Sequence, residues 1–208
     1  MPTVLCLALI AYLIGSVPSG YLVAKIAGVD IRTVGSGNVG ATNVTRVLGK
    51  RFGYPVFLLD CLKGIAAVEV AEILAKSWGF GAPAVETIGV LGAIFSVIGH
   101  SFPIWLRFKG GKGMATSIGT LLALSWIAAL IVCLVWVVVF YVTRFVSLAS
   151  IVAAIALPAM IEILLLRDKI ASPVLLYFSL CLAAIVVLRH RSNISRLLNG
   201  TEPRFVRK

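Results

Sequence analysis

Six long apolar stretches decide what this chain can fold into. They run over residues 3–24, 53–76, 84–100, 114–141, 145–166 and 172–188 and take up most of the 208 residues. A helix needs about 20 apolar residues to cross the roughly 30 Å hydrocarbon core of a bilayer, where every backbone N–H and C=O must be satisfied within the segment. The expected fold class is therefore all-α, a polytopic membrane helix bundle. Composition agrees, with 60% hydrophobic and 13% charged residues, against about 45–50% and about 25% in a soluble domain. That excludes a soluble globular chain and a disordered one. It also leaves no room in these residues for a water-soluble domain, so 1–208 reads as one transmembrane domain.

Lys and Arg number 19 and Asp and Glu 8, a net charge of +11. Nucleic acid, an anionic substrate and membrane topology can each account for such an excess. Topology can be tested by parity. Basic residues gather in 25–52 (Lys25, Arg32, Arg46, Lys50, Arg51), in 101–113 (Arg107, Lys109, Lys112) and in the tail (Arg189, Arg191, Arg196, Arg204, Arg207, Lys208). All three should face the cytoplasm. Six spans cannot achieve this, because three of them separate the second region from the third. Dividing 114–141 near Ser125 or Trp126 restores parity, with halves of about 14 residues, short for full spans. The result is seven transmembrane helices, an outside N-terminus and a cytoplasmic C-terminus. Arg144 joins the cytoplasmic side, so fifteen basic residues then lie inside, against Lys76, Arg167 and Lys169 near the outside, with Lys63 inside a span.

Cys6, Cys61, Cys133 and Cys181 are scattered through apolar stretches, which suits small apolar fillers rather than a disulfide framework or a metal site. No metal and no cofactor are expected. The first stretch lacks a basic start and an A-x-A site, so it is expected to be a retained span.

Three segments carry the chemistry. The first is GSGNVGATNVTR at 35–46. Its glycines let backbone N–H groups converge on an anion, and Ser36, Thr42 and Arg46 add donors. It is neither a Walker loop nor a Rossmann fingerprint. The second is GHSFPIWLRFKGGKGMAT at 99–116. Here Lys109, Gly110, Gly111, Lys112 and Gly113 can deliver two ammonium groups and several N–H donors to one phosphate, while Phe102, Trp105 and Phe108 suit the membrane interface. The third is RHRSNISRLLNGTE at 189–202, whose His190 is a possible acid or base. A basic surface helix would explain it as well. Asp60 and Lys63 share a helical face inside a span. They either neutralise each other or mark a polar interior.

The polar residues thus collect on the side assigned to the cytoplasm. That suits phosphorylated groups arriving from the cytosol while an acyl chain lies in the bilayer. There is no G-x-S-x-G elbow and no H-x4-D pair: His100 is followed five residues on by Trp105, and His190 by Ser195.

At these segments the sequence closely resembles the bacterial acyl-phosphate:glycerol-3-phosphate acyltransferases, the PlsY family. SVPSGYL at 16–22, DCLKG at 60–64 and RFVSLASI at 144–151 extend the likeness over nearly the whole chain. The resemblance implies a multi-pass enzyme of the bacterial inner membrane with its active site facing the cytoplasm. It implies transfer of a fatty acyl group from acyl phosphate to the 1-hydroxyl of sn-glycerol 3-phosphate, giving lysophosphatidic acid and inorganic phosphate, the first acylation of phospholipid synthesis. Acyl phosphate, sn-glycerol 3-phosphate and the lipid bilayer are the implied partners, with the enzyme that makes acyl phosphate as a protein partner and no nucleic acid.

Residue by residue, the resemblance implicates Ser36, Arg46, His190 and Asn193 in catalysis. It implicates Gly37, Asn38, Thr42, Asn43, Lys63, Lys109, Gly110, Gly111, Lys112, Gly113, Ser147 and Glu202 in substrate binding. Acyl phosphate is already activated, so no covalent acyl-enzyme is needed, which fits the missing nucleophile motif. His190 either orients glycerol 3-phosphate while a substrate phosphate oxygen takes the proton, or acts as the base itself. Glu202 is either a ligand-side group or a cap on the tail. A transporter of phosphorylated solutes is the alternative outside the enzymes, but it would place its site near the midplane and often show internal repeats. An acyl-CoA donor is the alternative within them, and would want an adenine pocket.

Overall fold

The computed structural model describes residues 2–168 and 173–205. Lys169, Arg207 and Lys208, three of the charges used in the parity argument, lie outside the described residues. Apart from one 3-10 turn at Ile104–Leu106, the regular structure of the described residues is α-helical: α1 Pro2–Ser16, α2 Ser19–Ile26, α3 Ala41–Leu48, α4 Lys50–Ser77, α5 Ala82–Ser101, α6 Met114–Leu124, α7 Trp126–Thr143, α8 Val146–Leu166, α9 Val174–Arg189 and α10 Arg191–Leu198. The all-α expectation holds. The chain divides into two compact units, Met1–Ala123 and Leu124–Lys208.

Among the described residues, four helices or helix pairs are long and apolar enough to cross a membrane: Pro2–Ile26, Ala82–Leu106, Trp126–Thr143 and Val146–Leu166. Val174–Arg189 with Arg191–Leu198, bent by 60°, makes a fifth. The sequence reading expected seven. The shortfall has two physical sources. Met114–Leu124 is only 11 residues long, and α4, at 28 residues and about 42 Å, carries Asp60, Lys63, Glu69 and Glu72 along its length. The proposed division of 114–141 coincides with a real break. Ser125 is extended and its Oγ accepts a hydrogen bond from the N–H of Ala128, capping α7.

The first unit is built on close backbone crossings. A Cβ on Gly15 would strike the Ser96 backbone, and one on Gly99 would strike the Tyr12 carbonyl, so α1 and α5 cross glycine to backbone. Gly64 and Gly119 bring α4 and α6 together in the same way. Lipid tails are as apolar as leucine, so packing of small residues, rather than hydrophobic transfer, holds such helices together. The first span is broken at Val17–Pro18, since proline cannot continue the helical ladder.

Residues 25–52, expected to be a loop, hold a helix of their own. Gly40 precedes α3 and Gly49, with φ +87°, ends it. Val44, buried, joins Ala24, Ile31, Val39, Val56 and Leu106 in a small core beneath it. Six residues of the 35–46 segment, 35–40, therefore lie before the helix as an irregular run, and the rest form its first turns.

In the second unit α7 ends at Arg144, which is left-handed at φ 62° and turns the chain into α8. The indole N–H of Trp136 donates to Ser150 Oγ at 3.1 Å, tying the two helices. Phe178, Leu157, Ile161 and Leu182 are buried. Replacing Gly99 with Val forces a side chain into the Tyr12 backbone. The expected result is a loss of about 1–3 kcal/mol of stability, the range for overpacking, read as a lower thermal midpoint in detergent. An unchanged midpoint refutes the close crossing.

Candidate active site

The first unit contains a buried ion pair. Lys63 Nζ lies 2.8 Å from Asp60 Oδ1, three residues earlier on α4. It also donates to the Val17 carbonyl at 2.7 Å. That carbonyl stands at the break in the first span, where the cation caps the C-terminal end of α1. His100, also buried, sits with Nδ1 3.6 Å from the same Asp60 oxygen. A cavity of about 10 Å³ is bounded by Ser16, Gly20, Val39, Asp60, Lys63 and His100, room for about one water. Ser16 Oγ is buried there and has no hydrogen-bonding partner among the described residues.

The glycine-rich loop grows from this cluster. After α5, Arg107 and Phe108 both adopt left-handed backbone, at φ 52° and 62°. Non-glycine residues take that region at a cost. The turn sends the chain back along the end of α5, where Gly110 N–H donates to the Ser101 carbonyl at 3.2 Å and Gly111 N–H to the His100 carbonyl at 3.1 Å. Gly111 presses on the His100 ring so closely that a Cβ there would strike Nε2. Gly113, at φ +82°, leads into α6, and its carbonyl accepts from Ser117 N–H at 2.7 Å. Lys109 is exposed and makes no ion pair among the described residues, and Lys112 is half-buried.

The 35–46 segment is organised by Asn43. Its buried Oδ1 accepts from Ser36 N–H at 2.8 Å, while Nδ2 faces the carbonyls of Asn38, Val34 and Ile31 at 2.9, 3.1 and 3.3 Å. Asn38 Oδ1 accepts from Gly40 N–H at 2.8 Å. Gly37 is left-handed at φ +68°. This scaffolding leaves Ser36, Thr42 and Arg46 exposed, with Arg46 in no ion pair among the described residues. The loop is thus a rigid frame presenting a hydroxyl pair and a guanidinium. Gly20 lets α2 touch it, since a Cβ there would meet the Val39 carbonyl.

In the second unit Glu202 is a hub. Oε1 accepts from Ser147 Oγ at 2.5 Å and Asn193 Nδ2 at 2.6 Å, and Oε2 accepts from Arg196 Nε at 2.7 Å. Burial pushes its carboxyl up, but the bonds from Ser147, Asn193 and Arg196 outweigh burial and hold it below the usual glutamate value. His190 is buried at the junction of α9 and α10, and its Nδ1 donates to the Val186 carbonyl at 2.8 Å. A carbonyl can only accept, so that nitrogen carries a proton. The tail continues as a strap: Phe205 N–H donates to the Arg144 carbonyl at 2.9 Å, and the Phe205 ring meets Phe140 edge-on.

Of the residues singled out in the sequence, the structure brings together Ser36, Gly37, Asn38, Thr42, Asn43 and Arg46 in one segment, Lys109 to Gly113 in a second, and His190, Asn193, Ser147 and Glu202 at the foot of α8 and α10. Lys63 is committed to Asp60 and Val17, using two of its three donors. Glu202 holds the tail through Ser147, Asn193 and Arg196. Asp60 and His100 were not among the expected site residues. Their signal was present in part, since Asp60 stands three residues before Lys63 and His100 opens the second motif.

The chain as a whole matches a known group of proteins. The family model for glycerol-3-phosphate acyltransferases matches residues 5–200. The glycerol-3-phosphate acyltransferase of Aquifex aeolicus (strain VF5) is 46% identical over 202 residues, covering 97% of this chain and 98% of that protein. The glycerol-3-phosphate acyltransferase of Thermosynechococcus vestitus is 48% identical over 203 residues, 96% of this chain and 93% of that one. Among solved structures, the glycerol 3-phosphate form of PlsY (YgiH), described as an integral membrane glycerol 3-phosphate acyltransferase, is 44% identical with a TM-score of 0.83, covering 98% of this chain and 96% of that one. The chain belongs to the glycerol-3-phosphate acyltransferase family, the PlsY acyltransferases its motifs resemble.

The Glu202 hub makes a prediction. A carboxylate with a depressed folded pKa contributes stability that is complete above its unfolded value and lost as pH falls through the folded one. The wild-type protein should therefore lose thermal midpoint below about pH 4.3, the unfolded glutamate value, relative to Glu202→Gln. The variant should be less stable at pH 7 and show a smaller acid loss. Parallel curves for the two proteins would remove Glu202 from the network.

Proposed function

We propose that this protein transfers a fatty acyl group from acyl phosphate to the 1-hydroxyl of sn-glycerol 3-phosphate, releasing lysophosphatidic acid and inorganic phosphate. The observation that carries the reading is the cationic glycine loop, Lys109 to Gly113, folded onto a buried ion cluster in a chain of this family. The glycerol 3-phosphate form of the solved relative supports the acceptor. In the reaction the 1-hydroxyl oxygen attacks the acyl carbonyl carbon. A new ester C–O bond forms, the bond from the acyl carbon to the bridging oxygen breaks, and that oxygen leaves with the electron pair as part of phosphate.

Both substrates are anions, and their reacting atoms must approach to about 3–3.5 Å. Arg46, Lys109 and Lys112 offset the repulsion. Ser36 and Thr42 donate to phosphate oxygens on the frame that Asn38 and Asn43 hold, with Gly37, Gly110, Gly111 and Gly113 allowing the backbone to come close. Donors aimed at the developing oxyanion and the leaving phosphate supply most of the stabilisation. Lys63, paired with Asp60, fixes the break between α1 and α2 beside the 35–46 frame, and Ser147 and Glu202 hold Asn193 in place. A substrate phosphate oxygen takes the hydroxyl proton, while His190 and Asn193 orient glycerol 3-phosphate. Because phosphate is a good leaving group, no acyl-enzyme is required.

The active site faces the cytoplasm of the bacterial inner membrane, with seven spans and the N-terminus outside. The grouping of basic residues supports this placement. The enzyme that makes acyl phosphate is the partner expected to feed the site.

Phosphate release by detergent-purified protein tests the reading. With glycerol 3-phosphate present, palmitoyl phosphate should give phosphate and lysophosphatidate, and palmitoyl-CoA should give neither. Turnover of both donors would keep the reaction and widen the donor claim. Turnover of neither, in folded protein, would end the proposal. The role of His190 is tested separately. His190→Gln should lower kcat by less than about 10²-fold, whereas a loss above roughly 10³-fold would make it the base.

A further inference from the structure

We propose that Asp60 and His100 are positioning residues for glycerol 3-phosphate, acting through the glycine loop rather than on the substrate. The inference rests on the reading that Lys109 to Gly113 bind the acceptor's phosphate. Four observations on the first unit support it. Gly110 and Gly111 hang their N–H groups on the carbonyls of Ser101 and His100. The His100 imidazole fills the space under Gly111, where not even a Cβ can enter. The ring is backed by Asp60, 3.6 Å from Nδ1, and Asp60 is itself fixed by Lys63 at 2.8 Å. Finally, Arg107 and Phe108 hold left-handed backbone on the way into the loop, a conformation that persists only when surroundings enforce it.

A run of three glycines and two lysines has high conformational freedom, and ordering it on binding weakens affinity. A buttress that orders the loop beforehand removes that penalty. The chain of support runs from Asp60 to the imidazole, from the imidazole to Gly111, and from Gly111 to the flanking Lys109 and Lys112. Lys63 gives the same carboxylate a second attachment at the broken first span, through Val17. The α2 turn just beyond that break touches the 35–46 frame at Val39. One buried carboxylate therefore steadies both phosphate-ready segments of the first unit.

No bond to the acceptor's phosphorus forms or breaks in the reaction. The contacts of that phosphate are equal in the ground state and the transition state, and their loss raises KM without lowering kcat. A merely structural defect does the reverse, shrinking the active fraction so that kcat falls at constant KM.

The experiment uses the full-length protein in detergent, with steady-state kinetics in both substrates and hydrogen exchange of the peptide spanning 106–114. His100→Gln should raise KM for glycerol 3-phosphate about tenfold, with kcat and KM for acyl phosphate changed by less than about twofold. Exchange at the Gly110 and Gly111 amides should accelerate. His100→Asn keeps a donor toward Asp60 but withdraws the ring from Gly111, so it should show the same KM rise even if His100→Gln fails to fold. Asp60→Asn should act in the same direction, and the double variant Asp60→Asn with His100→Gln should be no worse in KM than the worse single, since both lie on one path.

Full recovery of KM in His100→Asn, unchanged exchange in the loop, or a kcat loss at constant KM each overturn the inference. If the wild type turns over neither donor, it is the proposed function that fails. The exchange measurement then still decides whether His100 orders the loop.

Discussion

An ammonium and a carboxylate removed from water each forfeit several kcal/mol of hydration, and only close pairing and further hydrogen bonds return it. Lys63 and Asp60 meet that demand inside the first unit: 2.8 Å apart, with Val17 taking a second donor of the lysine. Breaking such a pair typically costs about 3–5 kcal/mol, because the remaining charge is stranded. The pair therefore constrains what surrounds it. The first span has to break at Val17–Pro18 for a carbonyl to face the lysine. The loop after α5 has to turn back for Gly111 to reach His100. An interrupted helix is tolerable in an apolar bundle only where its freed backbone groups find partners, and here the cation is that partner.

Charge is distributed in a matching way. The buried cluster is internally balanced by Asp60, whereas Arg46 and Lys109 stand outside it and make no ion pair among the described residues. Cations left unneutralised on a rigid frame suit ligands that bring their own negative charge. The frame is backbone held by amide side chains and glycine contacts, not by salt bridges. It can thus stay fixed while its charges remain available. Electrostatic help of this kind is strongest when donors are set before the substrate arrives.

Much of this was legible in the residues. Apolar length alone announced helices, and the break at Ser125 followed from the need to put three basic regions on one side. Glycine spacing marked the two anion-ready segments. Other features were hidden for physical reasons. The helix at Ala41–Leu48 lies within a stretch rich in glycine, asparagine and threonine, all weak helix formers, and is held by burial of Val44 and by Gly40 and Gly49 at its ends. Asn43 looked like a ligand-side group, but its amide is spent on holding the loop. The partner of His100 lies 40 residues earlier on another helix, a pairing that no local spacing reveals. Long α4 reads as a span from its apolar residues, yet its charges keep it out of the set that length and composition single out.

The contacts of Glu202 also have a consequence for how the molecule comes into being. Ser147 begins α8, whereas the carboxylate it needs is 55 positions further along. During synthesis α8, α9 and α10 all emerge before that group does. Until then Ser147, Asn193 and Arg196 lack the acceptor that joins them in the finished fold. The foot of α8 is thus closed by a segment that leaves the ribosome after all three helices. A nascent chain halted before residue 202 lacks this clasp, so closure of the second unit waits on the segment that follows α10.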